Sequence, residues 1–216
     1  MESWHKSVFE LAQCLNLLSI RDEKGAEVLP ERAFEHWTEA TQTVRRLHHT
    51  VYLIGNGASA SMSSHMAADL AKNGHVHTEV FSDLALVTAI ANDMGYDQVF
   101  SEPIRRRMRP GDMLVAISSS GESRNVVNAV ETANALGGHA ITLTGMAPSN
   151  TLSTLGTLNF YVPAQTYGLA ETCHAAILHH WMDRVALTAA DELPELFSRS
   201  IRDKMVADVL SEDGYL

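Results

Sequence analysis

Two apolar runs, Val51-Tyr52-Leu53-Ile54 and Met113-Leu114-Val115-Ala116-Ile117, contain no polar position, and each leads directly into small, hydroxyl-rich and glycine residues. Runs of this length and β-branched content read as parallel strands buried on both faces. Further strands are read at 78–82, 139–143 and 158–162. Between them, apolar positions at helical spacing predict helices over 59–72, 83–91, 97–108, 123–136 and 168–190, with a short one near 150–155. Ahead of the first strand, Val8, Leu11, Leu15 and Leu18 mark a helix over 3–20. Phe34, Trp37, Ala40 and Val44 mark another over 30–47, beyond a charged, Gly-containing segment at 21–27. A last amphipathic stretch, 192–210, follows a break at Pro194 and suits a subunit contact.

Strand and helix in alternation predict an α/β fold, a doubly wound five-stranded parallel sheet with N-terminal helices. Residues 1–48 form helices belonging to the same unit, 49–190 the α/β domain and 191–216 a helical extension. In a flavodoxin-like order, 2-1-3-4-5, the first and third strands are neighbours at the switch point, where ligands bind beyond the carboxyl ends. Those two strands carry the polar loops Gly55-Asn56-Gly57-Ala58-Ser59-Ala60-Ser61 and Ser118-Ser119-Ser120-Gly121-Glu122-Ser123. Each loop opens a helix, so free backbone N–H groups, the positive dipole end and hydroxyl donors converge on one crevice. A phosphorylated small molecule is the expected ligand.

The formal net charge of -10 argues against a nucleic-acid partner or an anionic membrane surface, since either requires a basic face. Arg105, Arg106, Arg107 and Arg109 form the one dense basic cluster; a solvated face, a subunit contact or a phosphate contact would each use it. Cys14 and Cys173 have no paired spacing, which fits a reducing cytoplasm, and neither reads as a nucleophile. No signal peptide or membrane-spanning apolar run is read, so the expected location is cytoplasmic. Neither G-x-G-x-x-G nor G-x-x-x-x-G-K-[ST] is present: Ala60 stands where a dinucleotide fingerprint needs its third glycine.

His65 and Asp69 are four apart on the predicted 59–72 helix and share a face, either as chemistry beside a bound phosphosugar or as a surface pair supporting the helix. On the 168–190 helix stand Glu171, His174, His179 and His180. Glu171 and His179 lie close to one face, and with His65 and Asp69 they would offer two nitrogen and two oxygen ligands, a set suited to zinc. Histidines among so many apolar neighbours can equally be core or interface residues, the better reading for His174 and His180. Asn92-Asp93 suits sugar hydroxyls or a helix-end turn.

The runs Gly55-Asn56-Gly57-Ala58-Ser59, Ile90-Ala91-Asn92-Asp93, Ile117 to Val127 and Ile141-Thr142-Leu143-Thr144-Gly145 resemble, in the same order, the sugar isomerase (SIS) family, and within it the phosphoheptose isomerase subfamily. The resemblance implies that Ser59, Ser118, Ser119, Ser120 and Ser123 hold phosphate and that Asn56, Asn92 and Asp93 contact the sugar chain. It places His65, Asp69, Glu171 and His179 in the active site, where several members bind zinc. Asp69 stands for the family's Glu, Glu171 for its Gln and Asn73 for an Arg one turn on. The implied reaction converts sedoheptulose 7-phosphate to a heptose 7-phosphate through an enediol, with Asp69 as base and His179 as acid in a homotetramer. The rivals are a pentose or hexose phosphate isomerase and a non-catalytic SIS sensor or protein-binding adaptor.

Overall fold

The computed structural model describes residues 3–192, with side chains through 190. The strands are β1 (Ser19–Asp22), β2 (Thr50–Gly55), β3 (His77–Val80), β4 (Met113–Ser118), β5 (His139–Thr144) and β6 (Leu158–Tyr161). The helices are α1 (Trp4–Asn16), α2 (Pro30–Arg46), α3 (Ala58–Asn73), α4 (Leu84–Asp93), α5 (Ser101–Arg107), α6 (Arg124–Ala135) and α7 (Tyr167–Glu192). One sheet runs β1-β6-β5-β4-β2-β3. The five strands expected from the sequence are parallel in the expected order, and the sheet has a sixth, β1, antiparallel to β6 through Ser19↔Tyr161 and Asp22↔Leu158. The helix expected over 3–20 therefore stops at Asn16. Of the four residues in β1 only Ile20 is buried, too short a pattern to separate from the preceding helical periodicity. The expected 97–108 helix is a 3-10 turn over Tyr96–Gln98 followed by α5. The 192–210 stretch lies outside the described residues.

The unbroken apolar strands are explained by a core on each side of the sheet. Along β4, Met113, Val115 and Ile117 face one side with Leu53 and Phe160, under α2, α3 and α7; Leu114 and Ala116 face the other with Ile54, under α4, α5 and α6. The first core centres on Trp37 and Trp181, stacked with centroids 4.1 Å apart, and Trp181 Nε1 donates to Thr41 Oγ1 at 3.1 Å. Cys14 and Cys173 also meet there, free and buried, between α1 and α7. Burial, and then the neighbouring Cys14, pushes the Cys173 thiol up to about 11. Spacing alone gave no hint of that contact.

Candidate active site

The crevice forms where β2 and β4 end side by side, with Gly55 paired to Ile117. Gly55 has to be glycine: a Cβ there would lie 2.5 Å from Ser59 Cβ, 2.8 Å from Ser59 C and 3.0 Å from Ile117 O. That close approach brings the first turn of α3 against the end of β4. Gly57 then turns the chain into α3 at φ 57°, a left-handed conformation that glycine adopts without cost. The helices α1 and α4 are capped by the side chains of Ser3 and Asp83. The N-cap residues of α3 and α6, Gly57 and Ser123, make no side-chain cap, so the first turn and positive dipole end of each helix face the crevice without a capping side chain in between.

The serine loop is held rigidly around this opening. Ser118 Oγ lies 3.3 Å from Ser123 Oγ and accepts from Gly121 N at 3.2 Å, and Ser120 Oγ accepts from Glu122 N at 3.2 Å. Gly145 N donates to Ser119 O at 3.0 Å. The Glu122 carboxylate accepts from Thr151 Oγ1 at 2.7 Å and Thr151 N at 2.8 Å, and these bonds hold it below the usual carboxylate range. A cavity of about 200 Å³ results, lined by Asn56, Ser59, Ile117, Ser118, Ser119, Ser120, Ser123, Tyr167 and Glu171. Its donors are neutral. Of the basic cluster, Arg105 and Arg106 pair with Glu102, and Arg107 pairs with Glu79 over the Phe81 ring.

Further along α3 and α7, His65, Asp69 and His179 offer ligand atoms all within 4.8 Å of one another. His65 Nε2 is 3.4 Å from Asp69 Oδ2, Lys72 Nζ is 3.2 Å from Asp69 Oδ1, and the two imidazole centroids are 5.5 Å apart. Asp69 is half-buried while both histidines are exposed, so the group opens outward. Two imidazoles and a carboxylate with an open fourth position suit a metal ion of the catalytic kind. Glu171 falls outside this group and lines the serine-loop cavity instead. Asn92 and Asp93 are exposed at the end of α4, hydrogen-bonded to each other at 2.8 Å, and line neither that cavity nor the next.

His180 packs edge-on against Phe34 and is a contact residue. His174 is fully buried, and burial pushes it down to about 4. Reasoning from the sequence missed three residues of the crevice: Tyr167, at its rim, and Asn125 and Tyr96, which bond to Asn56 at 2.9 and 3.0 Å. Their positions relative to Gly95 and to the first turns of α6 and α7 carry no motif. A second, more apolar cavity of about 220 Å³, walled by Val80, Phe81 and Phe100, adjoins at Asn56.

A match to the SIS domain spans residues 28–145. Phosphoheptose isomerase of Coxiella burnetii is 35% identical over 139 residues, 61% of this chain and 70% of that protein. The phosphoheptose isomerase of Aliarcobacter butzleri is 36% identical over 137 residues, 60% of this chain and 71% of its own. The solved phosphoheptose isomerase of Neisseria gonorrhoeae superposes with a TM-score of 0.71 at 29% identity, covering 84% of this chain and 96% of that one. The paired loops beyond β2 and β4 lie within the matched segment, and the chain belongs to the SIS domain family, among the phosphoheptose isomerases.

Proposed function

We propose that the protein is a cytoplasmic phosphosugar isomerase that interconverts sedoheptulose 7-phosphate and a heptose 7-phosphate through a cis-enediol. The observation that carries this reading is the convergence of His65, Asp69 and His179 beyond the serine-loop cavity. Ser59 and His65 are six residues apart on α3, a rise of about 9 Å. An extended chain advances about 3.5 Å per three bonds, so the seven bonds from phosphorus to C2 of a heptulose 7-phosphate cover about 8 Å. The similar lengths support a reading in which phosphate bound by Ser59, Ser118, Ser119, Ser120 and Ser123 lets the carbonyl end of a seven-carbon chain reach the His–Asp group.

Asp69 removes the proton alpha to the carbonyl. Its two oxygens each face one donor, His65 and Lys72, and a carboxylate retains further lone pairs beyond these. His179 moves the proton between the two substrate oxygens, and Glu171 stands between phosphate and reacting carbons as a hydrogen-bond acceptor for sugar hydroxyls. In the alternative to free Asp69 and His179, His65, Asp69 and His179 would hold zinc, which when bound supplies Lewis-acid polarisation of the carbonyl. Exposed apolar side chains on α1 (Trp4, Phe9) and α4 (Leu84) support a homotetramer that covers them.

A coupled assay across ketose phosphates of five, six and seven carbons tests the reading, with metal content measured on the same samples. The seven-carbon substrate is expected to have the highest kcat/KM. Asp69→Asn and His179→Ala are expected to lose about 10²–10⁴ in kcat with little change in KM. Zinc that is present in the wild type and absent from each of His65→Ala, Asp69→Asn and His179→Ala identifies the three ligands. Full activity in Asp69→Asn removes the catalytic assignment.

A further inference from the structure

Asn56 lines the phosphate cavity, yet most of its hydrogen-bonding capacity is already used within the protein. Asn56 Nδ2 donates to Asn125 Oδ1 at 2.9 Å, and Asn125 Nδ2 donates to Asn56 Oδ1 at 2.9 Å, a reciprocal amide pair joining the loop after β2 to the first turn of α6. Tyr96 Oη donates a second bond to Asn56 Oδ1 at 3.0 Å. The N–H of Val126 donates to Asn125 Oδ1 at 3.0 Å.

These four bonds favour one arrangement. A backbone N–H is only a donor, so the Val126 N–H, which also donates to Ser123 O at 2.9 Å, favours the oxygen of Asn125 facing it over the nitrogen. Turning that amide over would set two donors against each other. With the oxygen of Asn125 fixed, its nitrogen must face the oxygen of Asn56, and the nitrogen of Asn56 must face back. Both lone pairs of Asn56 Oδ1 are then taken, by Asn125 and Tyr96, and one N–H of Nδ2 is the only capacity left. Asn125 is itself buried, at 3% exposure, so water does not compete readily for the pair.

We infer that Asn125 is a positioning residue that fixes the polarity of the Asn56 amide, with Tyr96 taking the second lone pair of its oxygen, so that Asn56 meets an oxygen of the bound sugar phosphate with its one remaining N–H. The polarity is thus set at the first turn of α6 and passed across the crevice to β2's loop. Asn56 acts here as a donor and not as an acceptor for sugar hydroxyls. This rests on the isomerase reading for its ligand.

The test measures KM and kcat for sedoheptulose 7-phosphate, together with the affinity for inorganic phosphate, in the full chain. Asn125→Leu keeps the buried volume and removes both amide bonds; it is expected to raise KM about tenfold with kcat nearly unchanged, the size of one lost bond to a charged group. Tyr96→Phe, at a side chain 57% exposed, is expected to raise KM about threefold. In an Asn56→Ala background neither substitution should matter further, since both act through that amide. Disruption of the loops in general would instead persist in that background and would overturn the inference, as would an unchanged KM in the single variants. If Asn125→Leu does not fold, Tyr96→Phe alone decides by the same two comparisons. A wild type that neither turns over a ketose phosphate nor binds phosphate removes the isomerase reading; an active wild type with indifferent variants removes only this inference.

Discussion

Replacing Gly55 by alanine places a methyl group 2.5 Å from Ser59 Cβ, 2.8 Å from Ser59 C and 3.0 Å from the Ile117 carbonyl oxygen. Two of those three atoms are backbone, so no side chain can rotate aside. The first turn of α3 has to move away from the end of β4. Overpacking of this kind costs about 1–3 kcal/mol, and backbone contacts put Gly55→Ala near the upper end, about 3 kcal/mol. For a chain of this length that lowers Tm by roughly 6–12 °C. The same movement carries the Ser59 hydroxyl and the α3 N–H groups out of the phosphate cavity, so phosphate affinity should fall about tenfold, the equivalent of one charge-assisted hydrogen bond. Gly168→Ala is the matched control: a Cβ there meets nothing within 4 Å, and the site lies in α7, so stability should rise by about 0.5 kcal/mol. Thermal and urea unfolding, with calorimetric titration of inorganic phosphate, read both effects. Gly55→Ala with wild-type Tm and phosphate affinity would refute the close-approach argument.

Ser120→Ala is expected to weaken sugar-phosphate binding about tenfold by calorimetry while the unfolding midpoint stays within about 1 °C, because its hydroxyl faces the cavity and its one internal bond is to Glu122 N. Acidification should destabilise the protein through His174: near neutral pH the imidazole is uncharged in both states, but between pH 6.5 and about 4 the unfolded chain binds a proton that the buried ring refuses. Stability therefore falls through that window by up to about 3 kcal/mol, and urea titrations of His174→Leu should show a flatter acid limb than wild type. Light scattering should return a tetramer, and a stable monomer at micromolar concentration would count against the α1 and α4 faces being covered.

The five parallel strands, their order and the two polar loops beyond β2 and β4 were legible in the sequence because each is a local signal. An apolar run that ends in Gly55-Asn56-Gly57 or Ser118-Ser119-Ser120 specifies strand, turn and helix start within a dozen residues. His65 and Asp69 were paired by the helical repeat alone. Contacts between distant segments had no such signal. The strand β1 exists because Ser19–Asp22 finds β6 about 140 residues later, and Cys14 meets Cys173 only because α1 crosses α7. The packing of α3 on α7 brings His179 within reach of His65 and Asp69 and leaves Glu171 at the serine-loop cavity, a division that equal spacing on one helix face could not reveal. The amide pair of Asn56 and Asn125 likewise depends on β2 and β4 ending side by side. Sequence periodicity records which face of an element is buried; which faces meet is decided by how the elements pack, and in this protein that packing assembles the chemistry.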